Sequence, residues 1–135
     1  MIVVDSSAVV AIALQESGYR RLAQRIADER SAAISVANYV ETGQVLAQRQ
    51  PGAPEQALAD FHALLQRLDI QLAPVDEAQA RVALEARIKY GRGFGHRAKL
   101  NDSDCFAYAL AKTRNLPLLY KGDDFTHTDI ASALP

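Results

Sequence analysis

Short apolar runs alternate with longer stretches of helical periodicity along this chain of 135 residues. The apolar runs predict buried β-strands at residues 2–4, 32–35, 70–73 and 116–120. Between them, apolar residues recur every three or four positions, which predicts amphipathic helices. We place these helices at residues 6–15, 17–30, 36–50, 54–68, 76–90 and 101–114.

This order of elements predicts an α/β fold in which helices cover both faces of a central sheet. Parallel strands need crossover connections, and helices supply them. We therefore expect one domain over residues 1–135, with three α/β/α layers around a short, mainly parallel central sheet. Binding sites in such sheets form outside the carboxyl ends of the strands, so the residues that follow each strand are the candidates for chemistry.

The charge balance argues against a protein that coats itself broadly with nucleic acid or anionic lipid. Fifteen Lys and Arg against sixteen Asp and Glu give a formal net charge of −1, whereas such proteins carry a clear basic excess. Cys105 is the only cysteine, which excludes an intrachain disulfide and a cysteine-based zinc cluster. No apolar run approaches the roughly 20 residues of a membrane span, and no signal-peptide pattern opens the chain. We expect a cytoplasmic protein without a membrane partner.

Carboxylates recur where the predicted strands end. Asp5 terminates the first strand, and Glu41 lies in the second turn of the helix that follows the second strand. Two pairs of acids flank the last strand, and they are Asp102 with Asp104 before it and Asp123 with Asp124 after it. Because parallel strands end at one edge of a sheet, four separate stretches of chain deliver acids to that edge.

Asp5 and Asp104 lie in sequence surroundings typical of a core. Asp5 separates two apolar runs, and Asp104 shares a helical stripe with Ala107, Tyr108 and Ala111. Each acid alone has a structural explanation as a helix cap or a solvated turn. Together, buried carboxylates repel one another unless a cation lies between them. Hard oxygen ligands without Cys or His favour Mg²⁺ or Mn²⁺, so the acids predict a divalent-metal site.

Five segments carry a pattern of motifs. The chain opens with residues 2–8 (IVVDSSA), and a helix contains residues 39–42 (YVET). The blocks at 100–112 (LNDSDCFAYALAK) and 118–125 (LLYKGDDF) are more specific, and Thr128-Asp129-Ile130 follows them. Over nearly its whole length the chain therefore resembles the PIN-domain ribonucleases, and within them the VapC-type toxins of bacterial toxin–antitoxin pairs.

The resemblance implies that Asp5, Glu41 and Asp104 are members of an acidic catalytic cluster, with Asp5 and Asp104 as direct metal ligands. Asp124, directly before Phe125, matches the fourth acid, and the adjacent Asp123 is the alternative. The candidates for supporting contacts to this cluster are Ser6, Ser7 and Asn101. Two positions depart from the family pattern, because Ser103 stands where relatives often have Gly and Asp102 is an additional acid.

An acid-free basic stretch precedes the Asn101–Asp104 block. It contains glycines and aromatic residues, and its cations are Arg87, Lys89, Arg92, Arg97 and Lys99. A solvated, glycine-rich loop would explain this composition equally well. Its position next to the acids favours a flexible loop that binds the RNA backbone.

The function that the resemblance implies is metal-dependent cleavage of RNA phosphodiester bonds by a toxin that forms a homodimer and that a cognate VapB-type antitoxin neutralises. One alternative is a non-catalytic module that binds a partner through its helices. The other is a phosphotransfer or phosphatase domain, which also places Asp after its first strand and Lys near its last, as Lys121 is. Haloacid-dehalogenase-like enzymes need a second Asp where Ser7 stands, which weakens this alternative.

Overall fold

A parallel four-stranded sheet lies at the centre of the structure, a computed structural model that describes residues 1–135. The strands lie in the order β3-β2-β1-β4, and they are β1 (Ile2–Val4), β2 (Ala32–Ser35), β3 (Ile70–Ala73) and β4 (Leu118–Leu119). β1 pairs with β2 on one side and with β4 on the other. The residue that follows β1 therefore lies at the middle of the carboxyl edge of the sheet.

Six helices connect and cover these strands. They are α1 (Ser6–Ala13), α2 (Tyr19–Ala27), α3 (Val36–Gln48), α4 (Pro54–Arg67), α5 (Glu77–Tyr90) and α6 (Asp102–Arg114). None of them combines the length and the apolar character that a membrane span requires. All six were predicted, although α2 ends earlier than expected, at Ala27, and begins later because Gly18, with a φ of 83°, ends the preceding turn.

The helices form two layers, one on each face of the sheet. Ile2 and Val4 point to a hydrophobic cluster that also includes residues of α1, α2 and α4. Val3 and Ala33 point to the opposite cluster, which α5 and α6 dominate. This alternation follows from the two-residue period of a strand, and it confirms the predicted three-layer α/β/α fold with a parallel sheet.

The length of β4 and the cap of α1 have local explanations. β4 covers two residues rather than the predicted five, because Pro117 at its start cannot donate to a neighbouring strand. Helix α1 is capped by Asp5, whose carboxylate accepts the Ser7 N–H, so Ser6 and Ser7, which could also cap this helix from the sequence alone, do not. Asp5 ends a strand and begins a helix, which holds its side chain at the sheet edge.

The core on the α6 side makes the fold sensitive to truncation of Leu110, which is fully buried. We expect Leu110→Ala to lower the free energy of unfolding by about 2–5 kcal/mol, because a buried isopropyl group is lost and a cavity remains. Leu84→Ala removes the same atoms from a side chain that is 63% exposed, and it should change stability by less than about 0.5 kcal/mol. Denaturant unfolding of both variants measures the difference, and equal losses would contradict the described core.

Candidate active site

Asp5 is a buried carboxylate at the carboxyl end of the central strand β1. It is only 3% exposed, and Ser7 donates to its Oδ2 from both the backbone N–H at 3.0 Å and the hydroxyl at 2.7 Å. Burial raises the pKa of Asp5 from 3.8 to about 6, and repulsion from Glu41 adds to this, while the Ser7 hydrogen bonds oppose it. Ser7 thus holds the side chain in place, but its hydrogen bonds do not fully offset the cost of ionising this buried carboxyl group.

Asp104 is the second buried acid, and it lies in the first turn of α6. Its Oδ2 accepts the Asn101 N–H at 3.0 Å, while its own N–H donates to Asn101 Oδ1 at 2.8 Å, a reciprocal capping box. Burial raises the pKa of Asp104 from 3.8 to about 7, and the negative charges of Asp5, Asp124 and Glu41 raise it further. Asn101 therefore positions Asp104 by capping its helix.

Electrostatic coupling brings four of the predicted acids together. Glu41 raises the pKa of both Asp5 and Asp104, and Asp124 raises that of Asp104. Asp123 and Asp124 are both exposed, and of the two it is Asp124 whose charge raises the pKa of Asp104. This coupling favours Asp124 as the fourth acid, and the choice between Asp124 and Asp123 stays a prediction.

Asn38 is a site residue that the sequence analysis missed. It is fully buried in α3, and its Nδ2 donates to Ser103 O at 3.0 Å and to the Ser6 hydroxyl at 3.2 Å, with Asp5 Oδ1 at 3.5 Å. One side chain thus joins the starts of α1 and α6 through α3. Asn is uncommon inside a helix because it competes with the backbone, and its place one turn before Glu41 was the available signal.

The orientation of the Asn38 amide follows from its neighbours. Oxygen atoms of Ser103 and Asp5 face Nδ2, so reversing the amide would set acceptor against acceptor. The Ser6 hydroxyl donates to the Asn38 backbone carbonyl at 3.2 Å, which leaves its oxygen free to accept from Nδ2. Asn38 Oδ1 has no hydrogen-bond partner although it is buried, so this region retains unused acceptor capacity.

Ser7 connects the cluster to the segment that carries Asp124. Its hydroxyl donates to Asp5 and accepts the Lys121 N–H at 3.0 Å. The Lys121 side chain turns away and pairs with Glu16 at 3.3 Å. A phosphotransfer site requires a lysine beside its phosphate-accepting aspartate. Lys121 pairs with Glu16 instead.

The predicted RNA-binding cations fall into two groups. Arg87 pairs with Asp102 at 3.0 Å, and the Lys89 ammonium lies 5.0 Å from the centre of the Tyr90 ring. The other three, Arg92, Arg97 and Lys99, line an open depression of about 570 Å³ together with His96. Arg87 therefore contacts protein in this structure, and the additional acid Asp102 is its partner.

The residues of the acidic cluster fit a divalent cation. No Lys or Arg forms an ion pair with Asp5, Glu41, Asp104 or Asp124, so their charge is not neutralised within the protein. No three His, Cys, Asp or Glu side chains converge into a complete metal cage. Mg²⁺ keeps several water ligands and needs only one or two carboxylates from a protein, which is what Asp5 and Asp104 offer.

Comparison with known proteins identifies the family. A family model described as PIN domain matches residues 2–131. The chain belongs to the PIN-domain family. Ribonuclease VapC42 of Mycobacterium tuberculosis is 45% identical over 131 residues, covering 97% of this chain and 98% of the relative. The predicted resemblance to the VapC group of PIN domains is thereby confirmed, and it favours a nuclease over a binding module or a phosphotransfer domain.

Two solved structures share this fold. VapC20 of Mycobacterium tuberculosis, described as a sarcin-ricin loop cleaving toxin, superposes with a TM-score of 0.77 at 16% identity, and the match covers 100% of both chains. A toxin–antitoxin complex from Klebsiella pneumoniae superposes with a TM-score of 0.66 at 18% identity, covering 96% of this chain and 93% of that one. At such identities the likeness establishes the three-layer architecture.

Burial of uncompensated acids predicts an unusual dependence of stability on pH in this PIN domain. The folded state binds the Asp104 proton more tightly than the unfolded state, with a pKa of about 7 against 3.8. Stability of the metal-free protein should therefore fall as the pH rises from about 4 to about 7. Asp104→Asn keeps the acceptor for Asn101 and removes the charge, so it should raise the free energy of unfolding at pH 8 by on the order of 2 kcal/mol.

Denaturant unfolding in EDTA at pH 4 and pH 8 measures this effect. The gain should largely disappear at pH 4, where the wild-type acid is protonated in the folded state and partly protonated in the unfolded state. Asp123→Asn removes one exposed charge and serves as the matched control, with no gain expected. A destabilising effect of Asp104→Asn at pH 8 would contradict the described electrostatics.

Proposed function

We propose that this PIN domain is a metal-dependent endoribonuclease toxin that hydrolyses RNA phosphodiester bonds. The observation that carries the proposal is the pair of buried, unneutralised carboxylates Asp5 and Asp104, coupled to Glu41 and Asp124 at one sheet edge. The 45% identity to a ribonuclease over almost the full chain supports the substrate class. RNA as the substrate depends on this identity to a ribonuclease, since nothing in the acidic cluster itself distinguishes RNA from DNA.

Asp5 and Asp104 are the proposed ligands of Mg²⁺, for which Mn²⁺ is a substitute. A bound divalent ion would supply an acidified water and neutralise charge on the scissile phosphate. Glu41, part-exposed and coupled to both buried acids, is the proposed acceptor of a proton from the attacking water. Asp124, whose charge raises the pKa of Asp104, adds to the negative field of the cluster, and Ser7 and Asn38 hold the Asp5 carboxylate by hydrogen bonds.

The proposal includes the partners that the VapC group suggests. A cognate antitoxin of the VapB type would bind the toxin and suppress cleavage, in line with the toxin–antitoxin complex among the structural neighbours. We further propose that the protein forms a homodimer and acts in the cytoplasm. Size-exclusion chromatography with light scattering, with and without the co-expressed antitoxin, tests antitoxin binding and homodimer formation.

The activity test is mapping of cleavage sites in cellular RNA incubated with the purified protein, with Mg²⁺ or with EDTA. We expect cleavage only with the metal. Asp5→Asn should lower the rate by roughly 100-fold or more, because several kcal/mol of transition-state stabilisation depend on the ligand. Cleavage that persists at the wild-type rate in Asp5→Asn and Asp104→Asn would refute the proposed site.

Adjacent aspartates provide a matched pair for the fourth acid. Asp124→Asn should reduce the cleavage rate by at least about 10-fold, since it acts on the metal-binding cluster, whereas Asp123→Asn should leave it within about twofold. The two variants change the same charge one residue apart in an exposed segment. A larger loss in Asp123→Asn would reassign the fourth acid.

A further inference from the structure

The loop between α5 and α6, residues 91–99, presents a concentration of unpaired positive charge. We call it the basic loop. Its cations Arg92, Arg97 and Lys99 are exposed, and they take part in none of the ion pairs of the protein. They line one open depression of about 570 Å³, together with His96, Gly93 and Gly95. No hydrophobic residue lines it, so its chemistry suits a hydrated anion.

Backbone contacts give the basic loop a defined shape. Arg92 N–H donates to Leu100 O at 3.0 Å, and Leu100 N–H donates to Tyr90 O at 2.9 Å, which closes the base of the loop. At the far side, His96 Nδ1 accepts the Ala98 N–H at 3.0 Å. This contact leaves His96 Nε2 as the ring nitrogen without an assigned partner, in the same depression as the three cations.

Arg87 fastens the basic loop to the start of α6. Its Nε donates to Asp102 at 3.0 Å, its Nη1 donates to Arg92 O at 2.7 Å, and its guanidinium carbon lies 5.6 Å from the centre of the Phe94 ring. A Cβ atom on Gly91 would lie 2.0 Å from Arg87 O and 2.2 Å from Arg87 Nη1. We call these contacts the Arg87 latch, and Gly91 is required for its close approach.

We propose that the basic loop is a backbone-phosphate subsite for the RNA substrate, and that the Arg87 latch holds this subsite in register with the helix that carries Asp104. The inference rests on the proposed function. Asp102, the other end of the latch, lies two residues before Asp104 in the first turn of α6. Arg87 is thus a positioning residue, whereas Arg92, Arg97 and Lys99 are the residues that contact phosphate.

The subsite is tested by RNA binding in an Asp5→Asn background, so that cleavage does not enter the measurement. The probe is a short fluorescein-labelled single-stranded RNA of mixed sequence, titrated by anisotropy over a series of KCl concentrations. Replacing Arg92, Arg97 and Lys99 by Ala should weaken binding on the order of 100-fold at about 0.1 M salt and reduce the salt slope by about 2, because each phosphate contact on single strands contributes about 0.7.

The matched control removes three other exposed arginines at the opposite edge of the sheet. Arg30, Arg67 and Arg114 lie shortly before β2, β3 and β4, at the amino ends of the strands. Their replacement by Ala changes the net charge equally, and it should leave most of the affinity and the slope in place. An equal loss in both triple variants would overturn the subsite. Absence of RNA binding in the parent would instead count against the proposed function.

The latch is tested with a substitution that conserves charge. Arg87→Lys keeps one positive charge but cannot contact Asp102, Arg92 O and Phe94 together, and it should weaken RNA binding about fivefold, equivalent to one hydrogen bond. Arg81→Lys on the same helix replaces an exposed arginine that pairs with Glu77, and it should change nothing. Unchanged or tighter binding by Arg87→Lys would overturn the positioning role.

Asp102→Asn gives a second test that does not depend on how Arg87→Lys folds. The Asp102 side chain is 85% exposed, so its replacement should leave the fold intact. Simple attraction predicts tighter RNA binding, because one negative charge is removed beside the loop. The latch predicts weaker binding, roughly two- to fivefold, because the loop loses its anchor on α6. Tighter binding would refute the latch.

Discussion

The structure depends on two carboxylates that are buried together without a compensating cation from the protein. Asp5 and Asp104 are 3% and 7% exposed. Burial raises the pKa of both, and the charge of Asp5 raises that of Asp104 further. An unpaired buried charge costs several kcal/mol. A fold that keeps two of them must offset that cost through its packing, and a divalent ion bound between them would offset it further.

The topology of the sheet brings the segments that carry these carboxylates together. Because β1 lies between β2 and β4, the starts of α1 and α3 and the segment after β4 all meet at one edge. The α6 start reaches the same edge, where Asn38 donates to Ser103 O and lies against Asp5. Capping interactions at Asp5 and Asn101 fix two helix starts, so the hydrogen bonds that begin the helices also orient the acids.

Much of this architecture could be predicted from the sequence, and the reasons are local. The strands at 2–4, 32–35 and 70–73 agree with the structure, because short β-branched or apolar runs between helices have few other solutions in this fold class. Asp5 and Asp104 were found because an acid stood where the pattern demanded an apolar residue. The fold and the family followed from features that each lie within about ten residues of sequence.

The contacts that the sequence did not reveal join distant segments. Asn38 meets Ser103 across 65 positions of chain, and Arg87 meets Asp102 across 15. Neither pair has a periodicity or spacing that predicts it. The choice between Asp123 and Asp124 depended on the direction of side chains in a segment without helical or strand geometry, where sequence patterns carry no directional information. The contacts that build the candidate site are long-range, whereas the features that specify the fold class are local.

Proton release on Mg²⁺ binding tests the central claim most directly. Calorimetric titrations at pH 6.5 in buffers of different ionisation enthalpy count the protons that each ion displaces. With pKa values of about 6 for Asp5 and about 7 for Asp104, the account predicts release of about one proton per ion at this pH, little release at pH 8.5, and loss of the effect in Asp104→Asn. Binding without proton release at pH 6.5, or no binding at either pH, would contradict it.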